Sequence, residues 1–204
     1  VKNATADRHA RLNPPLGLAY LAAVLLENGY TTSALDLNVS GMNLHRIKMI
    51  IKREEPKILG ISTNPETYLS GLAVAQTAKM IRPDLVVIMG GPHASVMSDE
   101  VARNQSVDFV VVGEGEQTML ELVDSLLHHR DNVEAIEGIA FSRNGDEILI
   151  TPERPFVADP DDLPFPARGL FPLSLYAKPG TVLMSRGGCP FSCIFCAVNS
   201  IWKG

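Results

Sequence analysis

Apolar and polar positions alternate with two different periods between residues 14 and 130. Short runs rich in valine and isoleucine, typical of buried strands, are separated by longer segments whose apolar residues recur every three to four positions, typical of helices. Strands that alternate with helices in this way predict parallel βαβ units. We therefore expect an α/β fold built on an open, doubly wound parallel sheet.

The pattern places each element within a few residues. Helices are predicted at residues 14–30, 42–54, 67–82, 97–104 and 116–129, and strands at 31–38, 57–63, 84–93 and 107–116. The strand at 57–63 is mostly apolar, so we expect it to be buried on both faces. No strand is predicted before the first helix, because residues 1–13 are polar.

In an open sheet of this kind, ligands bind beyond the carboxyl ends of the strands. The four predicted ends are Asp36–Asn38, Ser62–Pro65, Gly90–His93 and Gly113–Glu116. They are rich in glycine and in hydrogen-bonding side chains. The sequence therefore predicts a binding site along this edge.

The pattern changes after residue 130. Apolar and polar residues alternate on both sides of Asn144-Gly145, which predicts a β-hairpin. Half of the chain's 14 prolines then lie between Pro152 and Pro179. So much proline excludes a helix or a central strand and predicts an extended linker on a surface. A further strand is predicted at 181–190.

Composition narrows the range of possible functions. The net charge is -5, so no basic field is available to gather nucleic acid. No apolar run approaches the roughly 20 residues that cross a bilayer, and the N-terminus lacks the order of a signal peptide. These features predict a cytoplasmic protein without a membrane span.

All three cysteines lie in the stretch "SRGGCPFSCIFC", at Cys189, Cys193 and Cys196. An odd cluster in a reducing compartment points to metal or redox chemistry rather than to disulfides. Three thiolates suit an iron–sulfur cluster with one iron left open. Zinc is the alternative, but the nearest upstream histidines, His128 and His129, lie about 60 residues away in a predicted helix end.

The C-x3-C-x2-C spacing, with Phe195 before the last cysteine, closely resembles the opening motif of the radical S-adenosylmethionine (radical SAM) superfamily. The resemblance implies a [4Fe-4S] cluster held by Cys189, Cys193 and Cys196. It also implies that the open iron binds S-adenosylmethionine, which is cleaved by one-electron reduction to a 5'-deoxyadenosyl radical. An electron donor is then an expected partner.

The preceding stretches "ILGIST", "IMGGPHAS" and "DFVVVGEGEQTMLELV" resemble the N-terminal part of B12-binding radical SAM proteins, the group that includes magnesium-protoporphyrin monomethyl ester oxidative cyclase homologues. The resemblance implies a Rossmann-like cobalamin-binding domain at residues 1–130, a hairpin and proline-rich linker at 131–180, and the first strand and loop of a radical SAM barrel at 181–204. Cobalamin is then the expected cofactor of the sheet edge.

The expected cobalamin contacts come from three strand ends. They are Ser62, Thr63, Asn64, Gly90, Gly91, Pro92, His93, Gly113, Glu114 and Gly115. The glycines would let a flat cofactor approach the backbone, although βα turns are glycine-rich in any such fold. Ser62, Thr63 and Asn64 would bond the corrinoid's amides or its base, or would form a polar turn or cap the next helix. We expect His93 to be a hydrogen-bonding wall residue rather than a cobalt ligand, and His9, in "DRHARL", to be a solvated loop residue.

A radical SAM barrel needs about 200 residues, and this chain ends eight residues after Cys196. We therefore expect an N-terminal piece of a larger enzyme, inactive alone, that methylates an unactivated carbon or closes a ring. The alternatives are a corrinoid-binding module without turnover and an interaction domain with a zinc-bound tail. The sequence leaves the substrate open, whether a small molecule or a peptide.

Overall fold

The computed structural model describes residues 13–41, 43–128, 132–145, 147–176, 191 and 193–196. The chain divides into two compact units. The first comprises Val1–Ile47 and Ala158–Ser185, and the second comprises Lys48–Val157 and Arg186–Gly204. In the described ranges, no helix combines the length and the apolarity that a bilayer crossing demands.

The second unit is built on a five-stranded sheet. Its strands are β1 (Ile58–Ser62), β2 (Val86–Gly90), β3 (Phe109–Val111), β4 (Ile139–Arg143) and β5 (Glu147–Ile150), in that order across the sheet. The first three are parallel, whereas β4 runs antiparallel to both β3 and β5. The α/β class is thus confirmed, and the predicted hairpin joins the same sheet and makes it mixed.

Helices cover both faces of this sheet. They are α4 (Tyr68–Ile81), α5 (Pro92–Val96), α6 (Ser98–Ala102) and α7 (Glu116–Leu127), while α1 (Leu16–Glu27), α2 (Leu37–Ser40) and α3 (Leu44–Glu54) precede the sheet in the chain. A Cβ on Gly71 of α4 would meet Ile61 and Met89, whereas a Cβ on Gly60 would meet Met119 of α7. Because neighbouring strand residues point to opposite faces, α4 and α7 lie on opposite sides.

The core of the second unit forms around β2. Val87, Ile88 and Met89 are completely buried, as expected for a central strand with helices on both faces. Met89 packs in a cluster with Ala94, Val101 and Val110, among others. The valine- and isoleucine-rich pattern therefore predicted this strand correctly.

The first unit has a small core of its own. Ala19 of α1, Val39 of α2, Phe171 and Tyr176 form a buried cluster. The segment from residue 158 contains short 3-10 helices at Pro160–Asp162, Arg168–Leu170 and Leu173–Leu175. From residue 168 onward the prediction of an extended surface linker is wrong, because Phe171 and Tyr176 are buried, to 4% and 5% exposure, whereas Phe165, between Pro164 and Pro166, is 95% exposed.

Two strand predictions also need correction. Residues 31–36 form no strand, and α2 begins directly after Asp36, whose carboxylate accepts a hydrogen bond of 2.9 Å from the N–H of Asn38. An N-cap residue favours helix over strand at this point. Among the strands that the structure describes, β1 lies at the edge of the sheet, and Gly60 and Ser62 are exposed, so the expectation of burial on both faces is wrong.

The other predicted elements are present, although β3 is much shorter than the strand predicted at 107–116, and α5 was not predicted. The strand predicted at 84–93 includes Pro92, but Pro92 occupies the first turn of α5, where its missing N–H costs nothing. The predicted strand at 181–190 and its place at the start of a barrel lie outside the described residues.

Candidate functional site

The carboxyl ends of β1 and β2 lie side by side. Ser62 is paired with Gly90 in the parallel register. Beyond this pair, the N–H of Thr63 donates to the carbonyl oxygen of Gly90 at 2.9 Å, and the N–H of His93 donates to the carbonyl oxygen of Thr63 at 3.3 Å. The structure therefore brings two of the three predicted loops into direct backbone contact.

The contact between the two loops requires glycine at position 91. Its φ is +91°, and a Cβ there would lie 2.6 Å from the carbonyl oxygen of Thr63 and 2.8 Å from Oγ of Ser62. No side chain fits such a space. The sequence analysis explained the glycines by the close approach of a cofactor. At Gly91, however, the space where a Cβ would stand is occupied by the neighbouring loop of the same chain.

Gly113 differs from Gly91. Its φ is +75°, yet no atom lies within 4 Å of the position where a Cβ would stand. Its N–H donates to Oγ of Ser95 at 3.0 Å, which ties the end of β3 to α5. Gly113 therefore combines a conformation that favours glycine with open space beside it, which is what close approach of a ligand requires.

Asn64 closes the turn that leads into α4. Its backbone N–H donates to Oγ1 of Thr67 at 3.0 Å, and its Oδ1 accepts from the N–H of Thr67 at 2.9 Å. These bonds close a turn that ends at Thr67, the N-cap of α4, whose side chain makes no capping hydrogen bond. Asn64 therefore has the polar-turn role that the sequence allowed and does not cap the helix, and its predicted contact with cobalamin stays a prediction.

His93 is held by an aromatic partner that the sequence analysis missed. The rings of His93 and Tyr68 are stacked, with centroids 4.1 Å apart and planes inclined by 30°. Burial raises the pKa of the Tyr68 hydroxyl above its ordinary value, and the charge of Glu100 raises it further. The available signal was an aromatic residue in the first turn of the helix that follows a predicted ligand-binding loop.

Two polar atoms on these loops have no hydrogen-bond partner. They are Oγ1 of Thr63, a residue only 3% exposed, and Nε2 of His93, and both atoms are shielded from water. In the part of the chain that the structure describes, only Ser40 and Ser142 have such atoms besides these. Buried polar groups are nearly always paired in folded proteins. The pair therefore fits a ligand that carries hydrogen-bonding groups.

Glu114 faces its own chain. It is 9% exposed, and its Oε2 accepts a hydrogen bond of 2.8 Å from the N–H of Val157. Gly115 follows as the N-cap of α7, and Glu116 is buried in the first turn, where the helix dipole favours a carboxylate. Glu114 thus has a structural role that the sequence did not suggest, and its predicted contact with cobalamin stays a prediction.

Of the predicted iron ligands, Cys193 and Cys196 are described and Cys189 is not. Both described thiols are free and exposed, and the N–H of Cys196 donates to the carbonyl oxygen of Cys193 at 3.1 Å. This turn brings together two of the three predicted ligands. Within the described ranges, no three His, Cys, Asp or Glu side chains are grouped to hold a metal ion. His9 also lies outside these ranges.

Comparison with known proteins gives a family match and several relatives. The family model "B12 binding domain" matches residues 7–123. The chain is 36% identical over 199 residues to an uncharacterized methyltransferase of Pyrococcus horikoshii, covering 94% of this chain and 43% of that protein. It is 29% identical over 199 residues to the anaerobic magnesium-protoporphyrin IX monomethyl ester cyclase of Rubrivivax gelatinosus, covering 93% and 36%.

A solved structure shares the fold. The cobalamin-dependent S-adenosylmethionine radical enzyme OxsB, with aqua-cobalamin and S-adenosylmethionine bound, aligns with a TM-score of 0.68 at 18% identity, over 80% of this chain and 23% of that one. The resemblance that the sequence motifs suggested is thereby confirmed. The chain spans less than half the length of each of these three proteins and covers their N-terminal part.

Proposed function

This chain belongs to the B12 binding domain family, and on that premise we propose that it binds cobalamin along the carboxyl edge of β1, β2 and β3. One observation carries the proposal. Thr63 and His93, on adjacent loops of this edge, each bury a polar atom without a hydrogen-bond partner among the described residues. Both residues lie inside the range that the family model matches. A corrinoid, with its many amide groups, offers such partners.

The proposed contacts are those predicted from the sequence. They are Ser62, Thr63, Asn64, Gly90, Gly91, Pro92, His93, Gly113, Glu114 and Gly115. Gly113 would allow close approach, since the space beside it is open. Bound cobalamin would supply a cobalt centre able to carry a methyl group, while the chain's own residues hold the corrinoid and shield it from water.

We further propose that the chain is the N-terminal part of a cytoplasmic radical SAM enzyme that transfers a methyl group to an unactivated carbon or performs an oxidative cyclisation. Relatives bearing both kinds of name support these two reactions. Residues 1–130 would form the cobalamin domain, 131–180 the hairpin and linker, and 181–204 the start of the radical SAM domain. Cys189, Cys193 and Cys196 would hold a [4Fe-4S] cluster that binds S-adenosylmethionine, reduced by an electron donor.

Hydroxocobalamin titration of the purified chain tests the first proposal. We expect a change in the visible spectrum, an equilibrium stoichiometry near one, and cobalamin that elutes with the protein on gel filtration. Cobalamin that elutes freely, with an unchanged spectrum at saturating protein, would contradict it. Metal analysis of anaerobically purified protein tests the cysteines separately, since tetrahedral zinc on the thiolates would favour the interaction domain instead.

A further inference from the structure

The loops that follow β1 and β2 form a compact polar corner. The backbone of Thr63 bonds both Gly90 and His93, so the two loops are fixed relative to each other. Thr63 Oγ1 and His93 Nε2 belong to these loops, and neither atom has a partner among the described residues. Two unpaired buried atoms on one fixed corner need a common explanation, because each carries the cost of desolvation.

Neighbouring residues contact other parts of these two side chains. Thr63 packs its methyl group, Cγ2, against Gly71 of α4, where a Cβ would lie only 2.5 Å away. His93 presents one face of its imidazole to Tyr68. The methyl group and the ring face are therefore used in packing, while the hydroxyl and the ring nitrogen are left over for hydrogen bonding.

We propose that Thr63 Oγ1 and His93 Nε2 together bind one carboxamide group of the corrinoid, an inference that rests on the proposed function. A hydroxyl can donate and accept, and so can a neutral imidazole through its two nitrogens. A carboxamide offers N–H donors and a carbonyl acceptor side by side, so one such group can pair with one donor and one acceptor. A phosphate offers acceptors only, and the carboxylate of Glu114 at the neighbouring strand end disfavours an anion.

His93 acts here at the periphery of the cofactor and not as a ligand of cobalt. Its backbone is tied to Thr63, its ring is stacked on Tyr68, and its Nε2 is shielded from water. A ligand of cobalt must present its nitrogen to the centre of a broad, flat macrocycle. A side-chain amide, by contrast, reaches into a corner on a flexible arm.

Tyr68 is a positioning residue in this arrangement. Its ring fixes the plane of the imidazole and covers one face of it. Nε2 is shielded from water in the free protein, so corrinoid binding must expose it.

Binding of hydroxocobalamin to variants of the chain provides the test. His93→Ala and Thr63→Val are each expected to raise the Kd about 5- to 100-fold, the usual effect of leaving one buried partner unpaired. The Kd of the double variant is expected to rise by less than the product of the two single-variant increases, because both residues bind the same group. His93→Gln and Thr63→Ser, which keep hydrogen-bonding capacity, recover most of the affinity. His45→Ala, at an exposed histidine of α3, is the matched control and leaves the Kd unchanged.

A second measurement separates the amide from cobalt ligation. In protein labelled with 15N-histidine, the EPR spectrum of bound cob(II)alamin is expected to show no 15N splitting. Hydroxocobalamin derivatives in which one peripheral amide is hydrolysed to a carboxylate exist as several isomers, and only one isomer should bind the parent chain more weakly than hydroxocobalamin does. The double variant should bind that isomer and hydroxocobalamin with similar Kd values.

The outcomes are distinct. If the parent chain binds hydroxocobalamin and the four single variants at positions 63 and 93 bind it equally well, the inference is wrong while the proposed function stands. A 15N splitting that disappears in His93→Ala would assign His93 to cobalt and overturn the inference as well. If the parent chain binds no hydroxocobalamin, both fail. Circular dichroism of every variant, compared with the parent chain, excludes loss of fold as the cause of weaker binding.

Discussion

A Cβ on Gly91 would lie 2.6 Å from the carbonyl oxygen of Thr63, so the loops after β1 and β2 approach each other at backbone distance. This contact holds the corner that carries Thr63 and His93. Backbone atoms cannot move aside as the end of a side chain can. The identity of residue 91 is thus coupled to the geometry of the proposed site.

Gly91→Ala is expected to lower the free energy of unfolding by about 2–4 kcal/mol, since a positive φ and a backbone clash add together. Urea denaturation followed by circular dichroism measures the change. Gly113→Ala is the matched control, because its φ is also positive but its surroundings are open, and it should cost about 1–2 kcal/mol. Equal losses in both variants would show that the approach to Thr63 contributes nothing.

Tyr176 and Asp36 form a second testable contact, within the first unit. The hydroxyl of Tyr176 donates to Oδ2 of Asp36 at 2.9 Å, and the other carboxylate oxygen caps α2. Burial raises the pKa of Tyr176 well above its ordinary value, and the hydrogen bond to Asp36 and its charge raise it further. Tyr176→Phe is therefore expected to cost about 1–2 kcal/mol at neutral pH.

The sign of the pH dependence follows from the raised pKa. The contribution of Tyr176 is fully present below the unfolded pKa of about 10 and is lost as the pH rises above it. The difference in unfolding free energy between the parent chain and Tyr176→Phe should thus be constant from pH 7 to 9 and shrink beyond about pH 10. Tyr20→Phe in α1 serves as the control. A difference that grows with pH would refute the assigned direction.

Glu114 gives a third prediction, which separates a structural role from a ligand contact. Glu114→Ala removes the acceptor for the N–H of Val157 and should cost about 1–3 kcal/mol. Glu114→Gln keeps an acceptor oxygen and should be less destabilised. Urea denaturation and hydroxocobalamin titration are both measured on each variant. Weaker binding by a fully stable Glu114→Gln would support the contact with cobalamin that the sequence predicts, and unchanged binding would remove Glu114 from the proposed site.

Much of the fold could be predicted because local patterns agree with the tertiary structure. β2 is apolar on both faces and is buried on both, and the hairpin turn at Asn144-Gly145 has positive φ at both positions, as its sequence demands. The strand predicted before α2 is wrong because the local pattern and the tertiary structure disagree there. Its alternation suits a strand, but Asp36 caps a helix and no described neighbouring strand pairs with it.

The location of the site along the carboxyl edge of the sheet could be predicted from the sequence, but the contacts within the site could not. Parallel strands bring their carboxyl ends to one edge whatever the loops contain, so Ser62–Pro65 and Gly90–His93 were both predicted on the ligand-binding edge. The stack of Tyr68 on His93 and the bond from Val157 to Glu114 join residues 25 and 43 positions apart. Such pairs depend on how helices and linker pack, which a single sequence does not reveal.

The last prediction concerns the exposed thiols. Cys193 and Cys196 are both open to solvent and are joined by a backbone hydrogen bond that holds the turn. A cluster bound by these thiolates in the isolated chain would be exposed to water and oxygen. We therefore expect anaerobic reconstitution to give less than one [4Fe-4S] cluster per chain, and exposure to air to bleach it.

Iron and sulfide analysis, with the visible absorption of the cluster, measures both effects. Cys193→Ser and Cys196→Ser should each reduce the iron content further, because a cluster left with two thiolates from this segment loses a ligand that iron prefers. Both variants should retain hydroxocobalamin, since neither residue belongs to the proposed cobalamin site. A stable, stoichiometric cluster in the isolated chain would contradict the expectation that these thiolates need further protein around them. Iron content unaffected by both substitutions would instead remove the two cysteines from the proposed ligand set.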